Sequence, residues 1–184
     1  MFEGVDDILK ELSPEQQAAC TAPNNVLLTA CPGSGKTRTL THRLAYQVLQ
    51  KSDSRKIKIA ITYTNRAAEE IINRLEDMNI DLSSIWAGTI HQFCMRYIIR
   101  PYAMYSKRLC KGYRIIDDYS KKAYGREIAE RLGMHLNYYD DPFQYENVRT
   151  EYKRVLKEKK EIDFDAILLI SEELLASCAF IGSN

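Results

Sequence analysis

Several protein classes are excluded by what this sequence lacks. No apolar run approaches the ~18 residues that a membrane-crossing helix needs, so no membrane partner is expected. The first residues, Met1 to Asp7, are acidic and have neither the basic nor the apolar stretch of a secretory leader. Five cysteines, at positions 20, 31, 94, 110 and 178, form no C-x-x-C pair and no metal-ligand spacing. Scattered thiols of this kind fit a reducing compartment, and a cytoplasmic protein is expected. There is no low-complexity tract, internal repeat or Gly/Ser/Pro-rich linker. Net charge is only +1, so a nucleic-acid partner must announce itself through local clusters rather than overall charge.

What is present is an ordinary globular composition, 45% hydrophobic and 28% charged, in 184 residues. That length allows one core, or a core with an appendage. Ser13-Pro14-Glu15-Gln16 opens a helix, with Ser13 as N-cap, Pro14 in first position and Gln16 closing a capping box. The apolar run Asn25 to Ala30 reads as a buried strand. Residues 36–50 read as a helix, Ile57 to Thr62 as a second strand, and Asn65 as the cap of a helix to about Met78. A third strand is expected over Ile85 to Thr89, then a helix to about Tyr105. Alternating strands and helices with short connections predict a parallel sheet flanked by helices. Beyond about residue 116 the pattern is helical: Asp117 caps a helix to about Leu132, a charged helix covers roughly 143–160, and another runs from Phe164 to Leu175. That half adds no strand to the sheet.

Ala30-Cys31-Pro32-Gly33-Ser34-Gly35-Lys36-Thr37 fits the A/G-x-x-x-x-G-K-S/T phosphate loop. Glycines let backbone N–H groups curl around a phosphate, and the following helix turns its positive end toward the anion. Lys36 would reach the β- and γ-phosphates of ATP, and the Thr37 hydroxyl would hold Mg²⁺. A glycine turn before a Lys-Thr helix start is the plain structural alternative.

With these motifs in order, the sequence resembles the UvrD/Rep/PcrA family of superfamily 1 DNA helicases. Leu12 to Gln17 is similar to the family's Q motif, which implies that Gln16 reads the adenine edge, although the same residue completes the capping box. Arg38 matches a family arginine near the nucleotide, or is an exposed helix arginine. Ala60 to Glu70 (AITYTNRAAEE) is similar to the T-F-T-N-K-A-A motif, which implies single-stranded DNA contacts from Tyr63, Thr64, Asn65 and Arg66. A strand end before an Asn-capped helix would use the same residues. Gly88 to Phe93 resembles the G-T-F-H motif, implying DNA contacts from Thr89 and His91; Ile90 departs from its phenylalanine. Between Met95 and Ile116 stand six basic residues, four tyrosines and no acid, a pattern suited to phosphates and bases. Ile162 to Leu168 is similar to the family's V-D-F-x-x-L-L helix. Asp163 and Asp165 there read as helix-start carboxylates rather than a metal pair.

The resemblance implies an α/β fold: an incomplete RecA-like phosphate-loop core over 1–112, with a mainly helical insertion over 113–184. It also implies ATP and Mg²⁺ as cofactors and single-stranded DNA as partner. The family's D-E-x-Q-D motif is missing from these residues, and no apolar strand precedes Asp117-Asp118 or Asp140-Asp141 to replace it. By sequence, residues 179–184 are not expected to continue the preceding helix cleanly. The chain therefore reads as an N-terminal piece of an ATP-hydrolysing DNA helicase, of repair or another pathway, needing a second motor domain in cis or trans. Alone it is expected to bind nucleotide weakly and not to unwind DNA. Two alternatives are a non-catalytic DNA- or partner-binding remnant and a small-molecule kinase, which would need none of the DNA motifs.

Overall fold

A computed structural model of the chain describes residues 5–50 and 56–177; Cys178 and the tail 179–184 lie outside the described residues. The chain divides into two compact units, Met1–Ile90 and His91–Asn184. The 112/113 boundary expected from sequence falls within the second.

In the first unit, α1 (Val5–Leu9) and α2 (Pro14–Thr21) precede α3 (Lys36–Leu49), followed by β1 (Lys58–Thr62), α4 (Asn65–Asp77) and β2 (Ile85–Thr89). The capping box forms as expected: the Ser13 hydroxyl accepts from the Gln16 N–H at 3.3 Å, and the Gln16 carbonyl oxygen accepts from the Ser13 N–H at 3.0 Å. Helix α4 buries Ala68, Ile71 and Leu75, one stripe at helical spacing. Its N-cap is Thr64, not Asn65: the Thr64 hydroxyl accepts from the Ala67 N–H at 3.2 Å, and Asn65 is already helical. A threonine with extended backbone directly before the helix serves the cap, so the asparagine is left on the first turn. Asn79, with φ +55°, follows the helix in the left-handed conformation that asparagine tolerates.

Strands β1 and β2 pair in parallel from Lys58 opposite Ile85 to Thr62 opposite Thr89, with α4 as the crossover. Their inner face packs with Ile8, Leu44, Ala45, Ile71, Leu75 and Ile80 into one core. The expected strand over Asn25 to Ala30 does not form; that segment is irregular and exposed, with Leu27 88% exposed. A strand exists only through ladder bonds to a neighbour. The only pairing of this sheet among the described residues is that of β1 with β2, so residues 25–30 have no ladder to join.

The second unit holds a helical run of α5 (Ile90–Phe93, its first residue still in the first unit), a π-helical stretch Cys94–Ile99, α6 (Arg100–Tyr102) and a 3-10 turn Ala103–Tyr105. Pro101 has no N–H to offer the previous turn, and the Arg100 N–H reaches five residues back to the Met95 carbonyl. This run packs Cys94, Ile98 and Ile99 against Ile167, Ile170 and Leu174 of α9 (Phe164–Ser177). Between them, β3 (Arg114–Ile115) pairs in parallel with β4 (Glu161–Ile162), a two-residue sheet separate from β1–β2.

Helices α7 (Asp118–Arg131) and α8 (Glu146–Lys159) lie between β3 and β4 and build their own core from Ile116, Ile128, Ala129, Val148, Tyr152, Val155 and Leu156. Asp117 caps α7 by accepting from the Ser120 N–H at 2.8 Å. Arg114 pairs with the buried Glu161. The Tyr152 hydroxyl donates to Asp163 Oδ2 at 3.0 Å, and Asp163 Oδ1 accepts from the Ala166 N–H at 2.9 Å. Burial, then the Asp163 carboxylate, push the Tyr152 phenol well above its ordinary range. Asp163 thus starts α9, the role read from sequence, and Asp165 pairs with Lys121 at 2.6 Å.

Gly125 on α7 lies beneath Phe143 and Pro142: a Cβ there would stand 2.9 Å from two Phe143 ring carbons and 3.1 Å from the Pro142 Cβ. Alanine would gain about 1 kcal/mol of helix propensity but overpack this contact by roughly 1–3 kcal/mol. Gly125→Ala is therefore expected to lower stability on balance, read as a lower denaturation midpoint with an unchanged m-value. A raised midpoint would contradict the packing described.

Candidate functional site

The loop Ala30 to Gly35 leads directly into α3. Gly33 and Gly35 have φ of +80° and +86°, a backbone that side-chain-bearing residues rarely adopt, and Gly35 serves as the helix N-cap. The Lys36 ammonium donates to the carbonyls of Ala30 and Cys31, both at 2.7 Å, so it lies back over the start of the loop. Two of its three protons are used, which leaves one for an oxyanion. Cys31, Pro32, Ser34 and Thr37 are exposed along the same turn.

Gln16 sits against this loop. Its amide nitrogen donates to the Ser34 carbonyl at 3.3 Å while its oxygen closes the capping box. The two sequence readings are therefore compatible, because a primary amide has four hydrogen-bonding positions and these contacts use two. A Cβ at Gly35 would stand 3.0 Å from the Gln16 nitrogen, so glycine is needed both for its φ and for this approach. Arg38 pairs with Glu11 at 2.6 Å, a contact absent from the sequence reading.

Sequence reasoning also missed Arg43. Its guanidinium donates to the carbonyls of Ala19 (2.5 Å), Cys20 (3.3 Å) and Asn24 (3.1 Å), closing the carboxyl end of α2. The Cys20 thiol adds a bond to the Thr39 carbonyl at 3.3 Å. These contacts hold α2, which carries Gln16, against α3, which carries Lys36. Nothing local marks them, because the partners are about 20 residues apart.

The proposed DNA residues of the first unit gather at the carboxyl ends of β1 and β2. Thr62 and Thr89 are register partners, so the segment Tyr63–Arg66 and Thr89 leave the sheet side by side. Tyr63 is 98% exposed, and Asn65 and Arg66 are exposed on the first turn of α4. The Thr64 hydroxyl is engaged as the cap. His91 stands at the start of the second unit, half-buried, its ring edge-on to Phe164 with centroids 5.7 Å apart. Among the described residues there is no cluster of His, Cys, Asp and Glu suited to a metal ion, and no helix long and apolar enough to cross a membrane.

One turn beyond Arg38, His42 is 2% exposed. Its Nδ1 donates to the Arg38 carbonyl at 2.8 Å, and its Nε2 has no partner. Burial, foremost, holds its pKa below the ordinary imidazole value; the Arg38 and Arg74 charges act in the same direction, the Arg38 carbonyl and Glu11 in the other. The unfolded chain therefore takes up this proton at a higher pH than the folded one. The stability His42 contributes is full above about pH 6.5 and falls as pH drops below it. Melting temperatures measured from pH 7.5 to 5 should decline, and His42→Asn, which retains a donor near Nδ1, should flatten that slope. An unchanged slope would refute the assignment.

Residues 12–144 match the family described as the UvrD/REP helicase N-terminal domain. The chain is similar to the ATP-dependent DNA helicase PcrA of Bacillus subtilis, with 28% identity across 92% of this chain and 27% of that protein. The Leuconostoc citreum PcrA is 28% identical across 89% of this chain and 26% of its own length. The Staphylococcus aureus PcrA is 34% identical across 67% of this chain and 17% of its own length. The chain thus spans about a quarter of the length of the first two relatives. With residues 12–144 matched, the chain belongs to the UvrD/REP helicase N-terminal domain family.

Proposed function

We propose that the chain is the ATP- and single-stranded-DNA-binding front of an ATP-dependent DNA helicase. The observation that carries this reading is the loop itself: two glycines with positive φ, a lysine ammonium over the loop entrance, and a glutamine amide against the same turn. In this reading the loop N–H groups and Lys36 hold the β- and γ-phosphates, the Thr37 hydroxyl holds Mg²⁺, and Gln16 with Arg38 lies toward the base. Bound ATP would supply the γ-phosphoryl group whose transfer to water drives movement in the complete motor. Tyr63 offers an aromatic face to a base, Arg66 a cation to a phosphate, and Asn65, Thr64 and Thr89 polar groups beside them; His91, in the second unit, is a further residue assigned to DNA in this proposal.

We read residues 1–112 as part of a RecA-like core and residues 113–184 as a helical insertion. The parallel β1–β2 pair, its α4 crossover and the unpaired apolar run 25–30 support an incomplete sheet. Sequence supports a division of labour: these 184 residues contain no D-E-x-Q. A carboxylate pair to activate water, and a second motor domain to close over the nucleotide, would come from elsewhere in cis or trans. The chain alone then binds but does not unwind. A cytoplasmic location and a role in DNA repair are parts of the same proposal.

Titration with a fluorescent ATP analogue and Mg²⁺ tests the nucleotide half: Lys36→Ala should weaken binding at least about tenfold with the fold intact by circular dichroism. Titration with a labelled thymidine oligonucleotide tests the other: Tyr63→Ala with Arg66→Ala should weaken binding by roughly tenfold or more while ATP-analogue binding stays unchanged. Equal ATP-analogue affinity in wild type and Lys36→Ala would remove the nucleotide assignment.

A further inference from the structure

The turn between α7 and α8 carries two neighbouring tyrosines that the fold leaves in solvent, Tyr138 82% and Tyr139 94% exposed. Their rings meet edge to face, centroids 5.3 Å apart and planes at 90°. The backbone beneath them is fixed at both ends. The Asn137 N–H donates to Asp140 Oδ2 at 2.7 Å, and the Asp140 N–H donates to the Asn137 carbonyl at 3.2 Å. Arg126 of α7 donates to the carbonyls of Asn137 and Tyr138, and its guanidinium carbon lies 5.7 Å from the centre of the Tyr138 ring. Folding thus braces a turn whose two largest side chains contribute nothing to the adjoining core.

We propose that the Tyr138–Tyr139 turn is a stacking platform for the bases of single-stranded DNA, in addition to the motif residues; this rests on the single-stranded-DNA reading above. Two arguments favour this occupant. A planar base needs an open ring face on a preorganised backbone, and both are present. A protein partner would instead be met by aromatic anchors set in an apolar, desolvated patch, whereas His135, Asn137, Asp140 and Asp141 flank these rings. The charge around the turn is mixed. Arg126 and Lys122, one turn apart on α7, face a phosphate favourably, while Asp140 and Asp141, tied to the N–H groups of Asn137 and Phe143, oppose it. Stacking rather than counterion release therefore carries the binding. Duplex DNA, whose base faces are covered, is excluded.

The test uses the whole chain and a fluorescein-labelled thymidine oligonucleotide, read by anisotropy. Replacing both rings (Tyr138→Ala, Tyr139→Ala) should raise Kd roughly tenfold or more, the paired Phe variants should stay within about twofold, and ATP-analogue binding should not move. With bromodeoxyuridine in the oligonucleotide, ultraviolet cross-linking should label the peptide that contains residues 138 and 139. Wild-type affinity in the Ala pair would overturn the platform, as would an equal loss in the Phe pair or a preference for duplex. If the Ala pair binds normally while Tyr63→Ala with Arg66→Ala does not, the platform falls and the motif reading stands. If the wild-type chain binds no oligonucleotide, both fall together.

Discussion

The guanidinium of Arg43 closes the carboxyl end of α2, and the approach of Gln16 to the loop before α3 depends on that closure. A helix ends with carbonyls that have no partner of their own, and leaving them buried and unpaired costs of the order of 1–3 kcal/mol each. Arg43, from within α3, takes two such oxygens, those of Ala19 and Cys20, and the Asn24 carbonyl just beyond the helix, while the Cys20 thiol bonds back to the Thr39 carbonyl. The two helices are thereby locked side by side. Gln16 at the front of α2 then meets the glycine loop at the front of α3, so the placement of one amide against that loop follows from a contact between the carboxyl end of α2 and the middle of α3. Gly35 is the point where this geometry is tightest, since a side chain there would meet the Gln16 amide.

Strand pairing sets the second constraint. β1 and β2 persist because each supplies the ladder the other needs, and their register carries Thr62 and Thr89 to one edge. The run 25–30 has the composition of a strand and none of its structure. Full burial of a leucine gains roughly 1.5–3 kcal/mol, which Leu27 forgoes at 88% exposure. Alternation and β-branching report what a segment would do beside a neighbour; they cannot report whether the neighbour is there.

That distinction separates what was legible in the sequence from what was not. A capping box is settled by residues within a few positions of one another, and this one is legible in Ser13-Pro14-Glu15-Gln16; of the apolar face Ala68, Ile71, Ile72 and Leu75 that the sequence offers for α4, the structure buries all but Ile72, which is half-buried. The cap of α4 was misplaced by one residue, because Thr64 and Asn65 are both competent caps and backbone conformation decides between them. Arg43 on the α2 carbonyls, Glu11 on Arg38, and the two-residue β3–β4 pair all join positions 19 or more apart. No local pattern encodes such contacts.

The same logic distinguishes residues explained by folding from those that are not. Asp163 caps α9, accepts from Tyr152 and lies 3.6 Å from Lys121, so its charge is consumed structurally and no metal role is needed to account for it. His91 has a ring partner in Phe164, and the Thr64 hydroxyl accepts from the Ala67 N–H as a helix cap, its own proton still available to donate. Tyr63 differs. It follows the last residue of a strand, where the chain leaves the sheet, and it is 98% exposed on a backbone already fixed by the Thr64 cap and by the bond from the Thr62 hydroxyl to the Thr64 carbonyl. Folding would be served as well by a small polar residue there. An aromatic ring held out on a rigid turn, one residue past the register pair that also presents Thr89, is left over once folding is accounted for, and it is this surplus that the proposed stacking on a nucleic-acid base would use.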